Sequence, residues 1–271
     1  MDLILEPFRY DFMVRALIAA LSVAAVCAVI GVFIVQRGLA FLGDGLAHAA
    51  FGGIAIGLFM GASIENAIWI AVPFTAVIAL AIGYVLRRTQ LRGDVATGVF
   101  FSFSFALGIL FLGLTKNNAN VEKLLFGTIL GVTPEVLIGV IVVSIVGLVV
   151  MIALWSRLAY AIFDPELAAI SGVPVALLEY LLLVQTAVVV VVAAKTVGVV
   201  LVSSFVVIPA ATARLIGHTM AGTTILAFVI GVLGALFGII ASYHLDTSVG
   251  ATIILLHSAG FLGAFIWSRI R

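Results

Sequence analysis

An all-α protein that crosses the membrane eight or nine times is what this sequence predicts, and three observations predict it. Of the 271 residues, 65% are hydrophobic and only 9% charged, whereas a soluble domain carries about a quarter charged residues. The apolar residues come in runs near the ~20 residues that a spanning helix needs. Most of the charges fall in the short breaks between these runs or at the two ends of the chain. So much apolar surface cannot be hidden inside a soluble fold of this size. The bilayer must be the solvent, and there a single chain satisfies its backbone through helices.

The elements follow in order. Apolar spans are predicted at about 14–35, 40–61, 66–86, 94–115, 135–156, 175–194, 196–216, 221–242 and 249–267. The breaks are Gln36-Arg37, Arg87 to Asp94, Lys116 to Glu135, Arg157 to Pro174, Arg214 to His218 and Tyr243 to Ser248. Ahead of the first span, Arg9 to Arg15 reads as an amphipathic stretch at the interface. The N-terminus lacks a basic n-region, so no cleaved signal peptide is expected and the first span serves as the targeting signal. The seventh span is the least regular. It follows the sixth across Lys195 with almost no loop, and Pro209 interrupts it. It reads as a crossing, as two half-helices or as a re-entrant segment, which leaves eight or nine crossings. Backbone groups freed by Pro209 must be satisfied within the protein. With no polar tail or linker, residues 1–271 read as one membrane domain.

Small residues recur every fourth position at Ala49, Gly53, Gly57 and Gly61, and again as Gly231 with Ala235 and Gly234 with Gly238. Such faces let helices approach closely in lipid. Packing within the chain is the expected use, and a dimer seam is the alternative.

Charge sets the orientation. With the N-terminus outside, the cytoplasmic side collects Arg37, Arg87, Arg88, Arg92, Arg157, Arg214, Arg269 and Arg271, against Arg9, Arg15, Lys116, Lys123 and Lys195 outside. The positive-inside rule therefore predicts N-out and C-in. A net charge of +1 offers no argument for nucleic acid. The single cysteine, Cys27, excludes an internal disulfide and a Cys-based zinc cluster within one chain. No Gly-Lys pair occurs, so there is no P-loop, and neither His-Glu-x-x-His nor Gly-x-Ser-x-Gly is present. The absence of a P-loop does not exclude transport; it places any energy source on another chain or in an ion gradient.

The residues that can carry chemistry are few. Asp44 and His48 stand four apart in Gly43-Asp44-Gly45-Leu46-Ala47-His48-Ala49, and on a helix they share a face. An ionisable group inside a span costs roughly 2.5–3.5 kcal/mol on insertion scales. A carboxylate with an imidazole suits zinc or manganese. Two ligands do not close a site, whereas a homodimer would bring four. The alternative is a buried hydrogen-bonded pair that only stabilises packing, and residue chemistry alone leaves both readings open.

In the run from Asp164 to Pro174, Asp164 caps, Pro165 fits the first helical position and Glu166 suits the helix dipole, while Gly172 and Pro174 end the turn. This predicts a two-turn helix in a cytoplasmic loop, either a knob that docks on a soluble motor or a well-capped connection. Pro209 marks a hinge, a gate or a static kink. Asp246, in an outer loop, either contacts a delivery protein or caps the last helix, and capping is the expectation. Asp94 is expected to cap the fourth span, Glu179 to reach the interface, and His257 to be a hydrogen-bonded packing residue.

Taken together in order, several segments resemble the zinc and manganese permeases of ABC importers, the ABC-3 family. They are Gly43 to Ala49, Asp94 to Val99, Leu125 to Leu130, Asp164 to Gly172, Gly198 to Arg214 and Asp246 to Thr252. The resemblance runs through nearly the full length. It implies a homodimeric or closely heterodimeric permease in the inner (plasma) membrane, with cytoplasmic ATP-binding subunits and an extracytoplasmic metal-binding protein. It implies zinc or manganese, or iron, as transported substrate, with no permanently bound cofactor. It places a metal site at Asp44 and His48. It also makes Asp164 to Gly172, including Glu166 and Ala168, the segment that couples to the ATPase. Where the family often has an acid, Thr128 stands here, so no role of that acid carries over. A proton-coupled secondary transporter, a permease for a metal chelate and an intramembrane enzyme are the alternatives.

Overall fold

The computed structural model describes residues 6–63, 66–115 and 129–270. Leu125 to Thr128, Lys116 and Lys123, which entered the sequence reading, lie outside the described residues. A 3-10 turn, Glu6–Arg9, leads into α1, Asp11–Gln36. There follow α2 (Leu42–Phe59), α3 (Ile68–Arg88), α4 (Gly93–Leu114) and, after a 3-10 turn at Ile129–Gly131, α5 (Pro134–Phe163). The rest are the short α6 (Pro165–Ile170), α7 (Val175–Val197), α8 (Val199–Ile216), α9 (Met220–Leu245) and α10 (Val249–Ile270). Among the described residues, nine helices are long and apolar enough to cross a membrane. Each corresponds to one expected apolar run.

The helix at the centre is α1. In its most apolar stretch 78% of residues are buried, against 17% in α10. It packs against α5, α7, α8 and α9. The peripheral helices keep large apolar side chains on their outer faces, among them Trp69, Ile152 and Leu255. In water such a surface would drive aggregation; in lipid it is the ordinary solvent-facing exterior.

The seventh span is a continuous helix through Pro209, not two half-helices. The chain instead turns at Gly198, a single residue between α7 and α8 with φ 90° and ψ 155°. An L side chain strongly disfavours that backbone conformation, so glycine is required there. Pro209 is buried, and its ring faces Gly231 of α9.

Small residues set the helix spacing. A Cβ at Gly53 would lie 2.6 Å from Cα of Ala71 in α3, and one at Gly52 would lie 2.5 Å from the Ser104 carbonyl oxygen in α4. On the later face, a Cβ at Gly234 or Gly238 would collide with His257 or Ile253 of α10. Packing within the chain thus accounts for these positions.

Glu179 does more than reach an interface. Its carboxylate accepts from Arg37 Nη2 at 2.5 Å and from Arg87 Nη1 at 2.9 Å. Arg37 follows α1 and Arg87 is in the last turn of α3, so one side chain of α7 joins three helix ends. A carboxylate shared by two guanidinium groups is charge-assisted at both oxygens. Glu179→Ala is expected to lower the thermal unfolding midpoint of the detergent-solubilised protein, at a cost of about 1–3 kcal/mol. Glu179→Gln should lose less, because it keeps an acceptor for one arginine. Equal midpoints for all three proteins would remove the clamp from the account.

Candidate metal site in the membrane

The site is built at the start of α2. The link from Arg37 to Phe41 turns through Gly38 at φ 68° and buries Leu39. A Cβ at Gly93 would stand 2.2 Å from Leu39 Cδ2, so the start of α4 closes over this link. Asp94 does not cap its own helix, whose N-cap position is Arg92. Its Oδ1 instead accepts from the backbone N–H of Phe41, the residue that precedes α2, at 3.5 Å.

Asp44 therefore sits in the first turn of α2, where free N–H groups and the helix dipole favour a carboxylate. From α2 alone this would look like an end-of-helix position. Asp44 Oδ1, however, also accepts from Ser203 Oγ of α8 at 3.2 Å. Ser203 lies eleven residues before Arg214, about 16 Å along a helix. Arg214 Nη1 donates to the Val35 carbonyl at the end of α1 and so marks that boundary of the bundle. Taken with the contact of Gly31, four residues before Val35, on Val206, this sets Asp44 inside the spanning bundle, about 10–16 Å from that end.

His48 is one turn further along α2. Its Nδ1 lies 3.0 Å from the Asp44 carbonyl oxygen and 3.7 Å from Asp44 Oδ1. A carbonyl can only accept, so Nδ1 is the donor there, and in the neutral imidazole this leaves the lone pair on Nε2. A backbone carbonyl on the second nitrogen is the usual way an imidazole is held as a metal ligand. Phe101 and Phe105 of α4 meet the imidazole edge-on, with centroids at 4.7 and 5.5 Å. They fix the ring between apolar walls. Neither side chain is sealed off: His48 is 21% and Asp44 42% exposed.

Ser203 is the residue that sequence reasoning missed. Its single hydroxyl proton has two acceptors, Asp44 Oδ1 and the Val199 carbonyl of its own helix at 3.1 Å. When a cation takes the carboxylate, the hydroxyl can turn back to Val199 without being stranded. Asp44 is thus held in place by a partner that gives it up at small cost, which suits a passing ion. The only signal in the sequence was a polar Ser203-Ser204 pair inside an apolar run. Among the described residues no cluster of three or more His, Cys, Asp or Glu side chains forms. The described residues of one chain thus bring two such donors together here, Asp44 and His48. Ser203→Ala is expected to weaken metal uptake about tenfold while leaving the fold intact. Uptake kinetics at limiting metal check this, and an unchanged half-saturating concentration would reduce Ser203 to packing.

The remaining expected residues fall elsewhere. Asp164 Oδ1 accepts from Leu167 N at 2.9 Å and caps α6, with Pro165 in the first helical position. Gly172, at φ 81°, donates to the Ala169 carbonyl, and Val173 donates to that of Ala168. These two bonds form the glycine-terminated helix end known as a Schellman motif. Ala168 is buried, whereas Glu166, Leu167 and Ile170 are exposed. Tyr160 and Ser171 hydroxyls, 3.0 Å apart, tie the loop back to α5. Asp246 does not cap α10. It ends α9 in the left-handed conformation at φ 49°, with its backbone N–H on the Ser242 carbonyl and its side chain exposed. His257 is buried, with Nε2 3.3 Å from the Ile230 carbonyl oxygen and its ring edge-on to Phe205.

Comparison with known proteins places this geometry. Residues 9–268 match the ABC 3 transport family. The manganese transport system membrane protein MntC of Halalkalibacterium halodurans is 37% identical over 265 residues, covering 97% of this chain and 89% of the relative. The chelated iron transport system membrane protein YfeC of Yersinia pestis is 33% identical over 269 residues, covering 99% and 90%. Among solved structures, PsaBC from Streptococcus pneumoniae in complex with Fab superposes with a TM-score of 0.84 at 29% identity, over 97% of this chain and 94% of that one. With the match extending from the start of α1 to the last turns of α10, and the helices superposing along nearly their whole course, the chain belongs to the ABC 3 transport family of membrane permeases.

Proposed function

We propose that the chain is the permease of an ATP-driven importer that carries a divalent transition metal, manganese, zinc or iron, into the cytoplasm. The observation that carries this reading is the Asp44–His48 pair inside the spanning bundle, held by Ser203 and, among the described residues, joined by no further His, Cys, Asp or Glu. A second copy across a two-fold axis would raise the carboxylate and imidazole ligands from two to four, enough to replace much of an ion's hydration shell. The relatives named for manganese and chelated iron support a metal cargo, and the Asp–His donor set suits all three ions.

In this reading a metal-binding protein docks on the outer face, where Asp246 is exposed, and releases the ion into the pathway. Asp44 and His48 Nε2 take it up as ligands. The capped α6, with Glu166, Leu167 and Ile170 turned outward and Ala168 packed inward, docks on an ATP-binding chain. Nucleotide-driven closure of that chain moves α6, and with it α5 and α7. The site then opens to the cytoplasm, with Pro209 as a hinge of α8. The N-terminus lies outside, the C-terminus inside, and residues 1–271 act as one membrane domain of the inner membrane.

The test is uptake of radiolabelled manganese by proteoliposomes that hold the complete transporter. Uptake that requires ATP and the binding protein, survives a protonophore and is competed by zinc or iron is the expected result. Uptake driven by a pH gradient without ATP would replace this reading with a proton-coupled carrier that uses Asp44 and His48 as a proton relay.

A further inference from the structure

Where α3 ends, a hollow of about 370 Å³ opens between α3 and α7, lined by Tyr84, Arg87, Arg88 and Tyr180. Among the described residues no carboxylate lines it. Arg87 uses Nη1 on Glu179 and keeps its other N–H groups. Arg88 takes part in no ion pair among the described residues. Its guanidinium lies 5.7 Å from the centroid of the Tyr84 ring. Neither tyrosine hydroxyl is hydrogen-bonded among the described residues. Gly83 makes room for this wall, since a Cβ there would stand 3.0 Å from Tyr180 Cε1. The result is a concave cluster of donors with a positive excess, since the one adjoining carboxylate, Glu179, is already shared between Arg87 and Arg37.

What lies beneath the hollow narrows the ligand. Val77, Leu80, Tyr84 and Arg88 fall on one line along α3, and all four are exposed. On α7, Leu181 is exposed on the membrane side of Tyr180. An apolar strip at membrane depth thus leads directly into a basic pocket at the membrane boundary. Free phosphate or a nucleotide would use the pocket but not the strip. A phospholipid uses both, and basic pockets between spanning helices are recurrent sites for anionic headgroups.

We propose that this hollow binds the headgroup of an anionic phospholipid. Its phosphodiester is held by Arg88 and Arg87 with the two tyrosine hydroxyls, and its acyl chains lie along Val77 and Leu80 on one side and Leu181 on the other. The lipid bridges α3 and α7, the same two helices that Glu179 joins one layer further in.

Native mass spectrometry of the permease, purified with its associated chains in neutral detergent, tests this without reference to metal. Phosphatidylglycerol is expected to be retained more strongly than phosphatidylcholine. Arg88→Gln should weaken that retention about fivefold, the share of one basic residue, and Arg88→Glu should abolish the preference. Arg157→Gln, an exposed arginine outside the hollow, should change nothing. Addition of inorganic phosphate should not displace the lipid. Equal retention of the two lipids, an Arg88→Glu protein indistinguishable from wild type, or displacement by inorganic phosphate would each overturn the proposal. So would loss of a co-purifying ATP-binding chain from Arg88→Glu with lipid binding intact, which would assign the hollow to protein docking.

Discussion

Replacing Asp44 by Ala is expected to reduce ATP-driven manganese uptake to background in proteoliposomes, with the permease folded and its partner chains still co-purifying. Loss of an outer partner of a metal ligand typically costs 10–100-fold in affinity. Loss of a ligand itself should therefore exceed about a hundredfold. Two simpler variants separate ligation from packing. Asp44→Asn keeps the shape and an acceptor for Ser203 but lacks the negative charge, so it should fail almost as completely as Ala. His48→Gln can still donate a hydrogen bond from its side chain but offers no imidazole nitrogen, and it should fail as well. A structural role predicts a different pattern: Asp44→Asn would then transport normally, and Asp44→Ala would show a lowered thermal midpoint in detergent. Wild-type uptake in Asp44→Asn would remove the carboxylate from the pathway.

The helices were legible because lipid imposes a one-dimensional rule. Each crossing needs a run of apolar residues, and the runs at 175–194 and 249–267 reappear as Val175–Val197 and Val249–Ile270. The α6 cap was legible for a similar reason, since Asp164, Pro165 and Gly172 act on their immediate neighbours. The Asp44–His48 pair was visible as two costly residues one turn apart. What could not be read were the contacts across long stretches of chain. Ser203 meets Asp44 across 159 residues and Glu179 meets Arg37 across 142, and no local pattern encodes either. Two local expectations failed because a competing partner won. Asp94 serves the N-terminus of α2, which otherwise leaves its N–H groups unmet, and Asp246 terminates α9 in a left-handed turn. Pro209 did not break α8, and the required discontinuity fell one element earlier, at Gly198, where positive φ is cheap only for glycine.

Gly31→Ala should have the largest effect of any single-methyl change on assembly. A Cβ at Gly31 would lie 1.9 Å from the carbonyl oxygen of Val206 and 2.8 Å from its carbon. The obstacle is backbone, so no rotamer change relieves it, and α1 and α8 must part. In a packed interior such overfilling costs about 1–3 kcal/mol and sometimes more. Here α1 also packs against α5, α7 and α9, so little room exists for it to retreat. Gly43→Ala gives the opposite sign. Its Cβ would meet Val206 side-chain atoms at 3.4–3.6 Å, an ordinary contact, and alanine is favoured over glycine in a helix by about 1 kcal/mol. The expected result is a low yield of folded Gly31→Ala with a depressed thermal midpoint, beside a Gly43→Ala protein as stable as wild type or more so. The consequence reaches the site, because Val206 is three residues from Ser203. If α8 moves away from α1, Ser203 shifts against Asp44, and the fraction of Gly31→Ala that folds should need more metal for half-maximal uptake. A folded, fully active Gly31→Ala would mean that α1 and α8 are not pressed together at this point, and that Asp44 is positioned without the contact that anchors its partner.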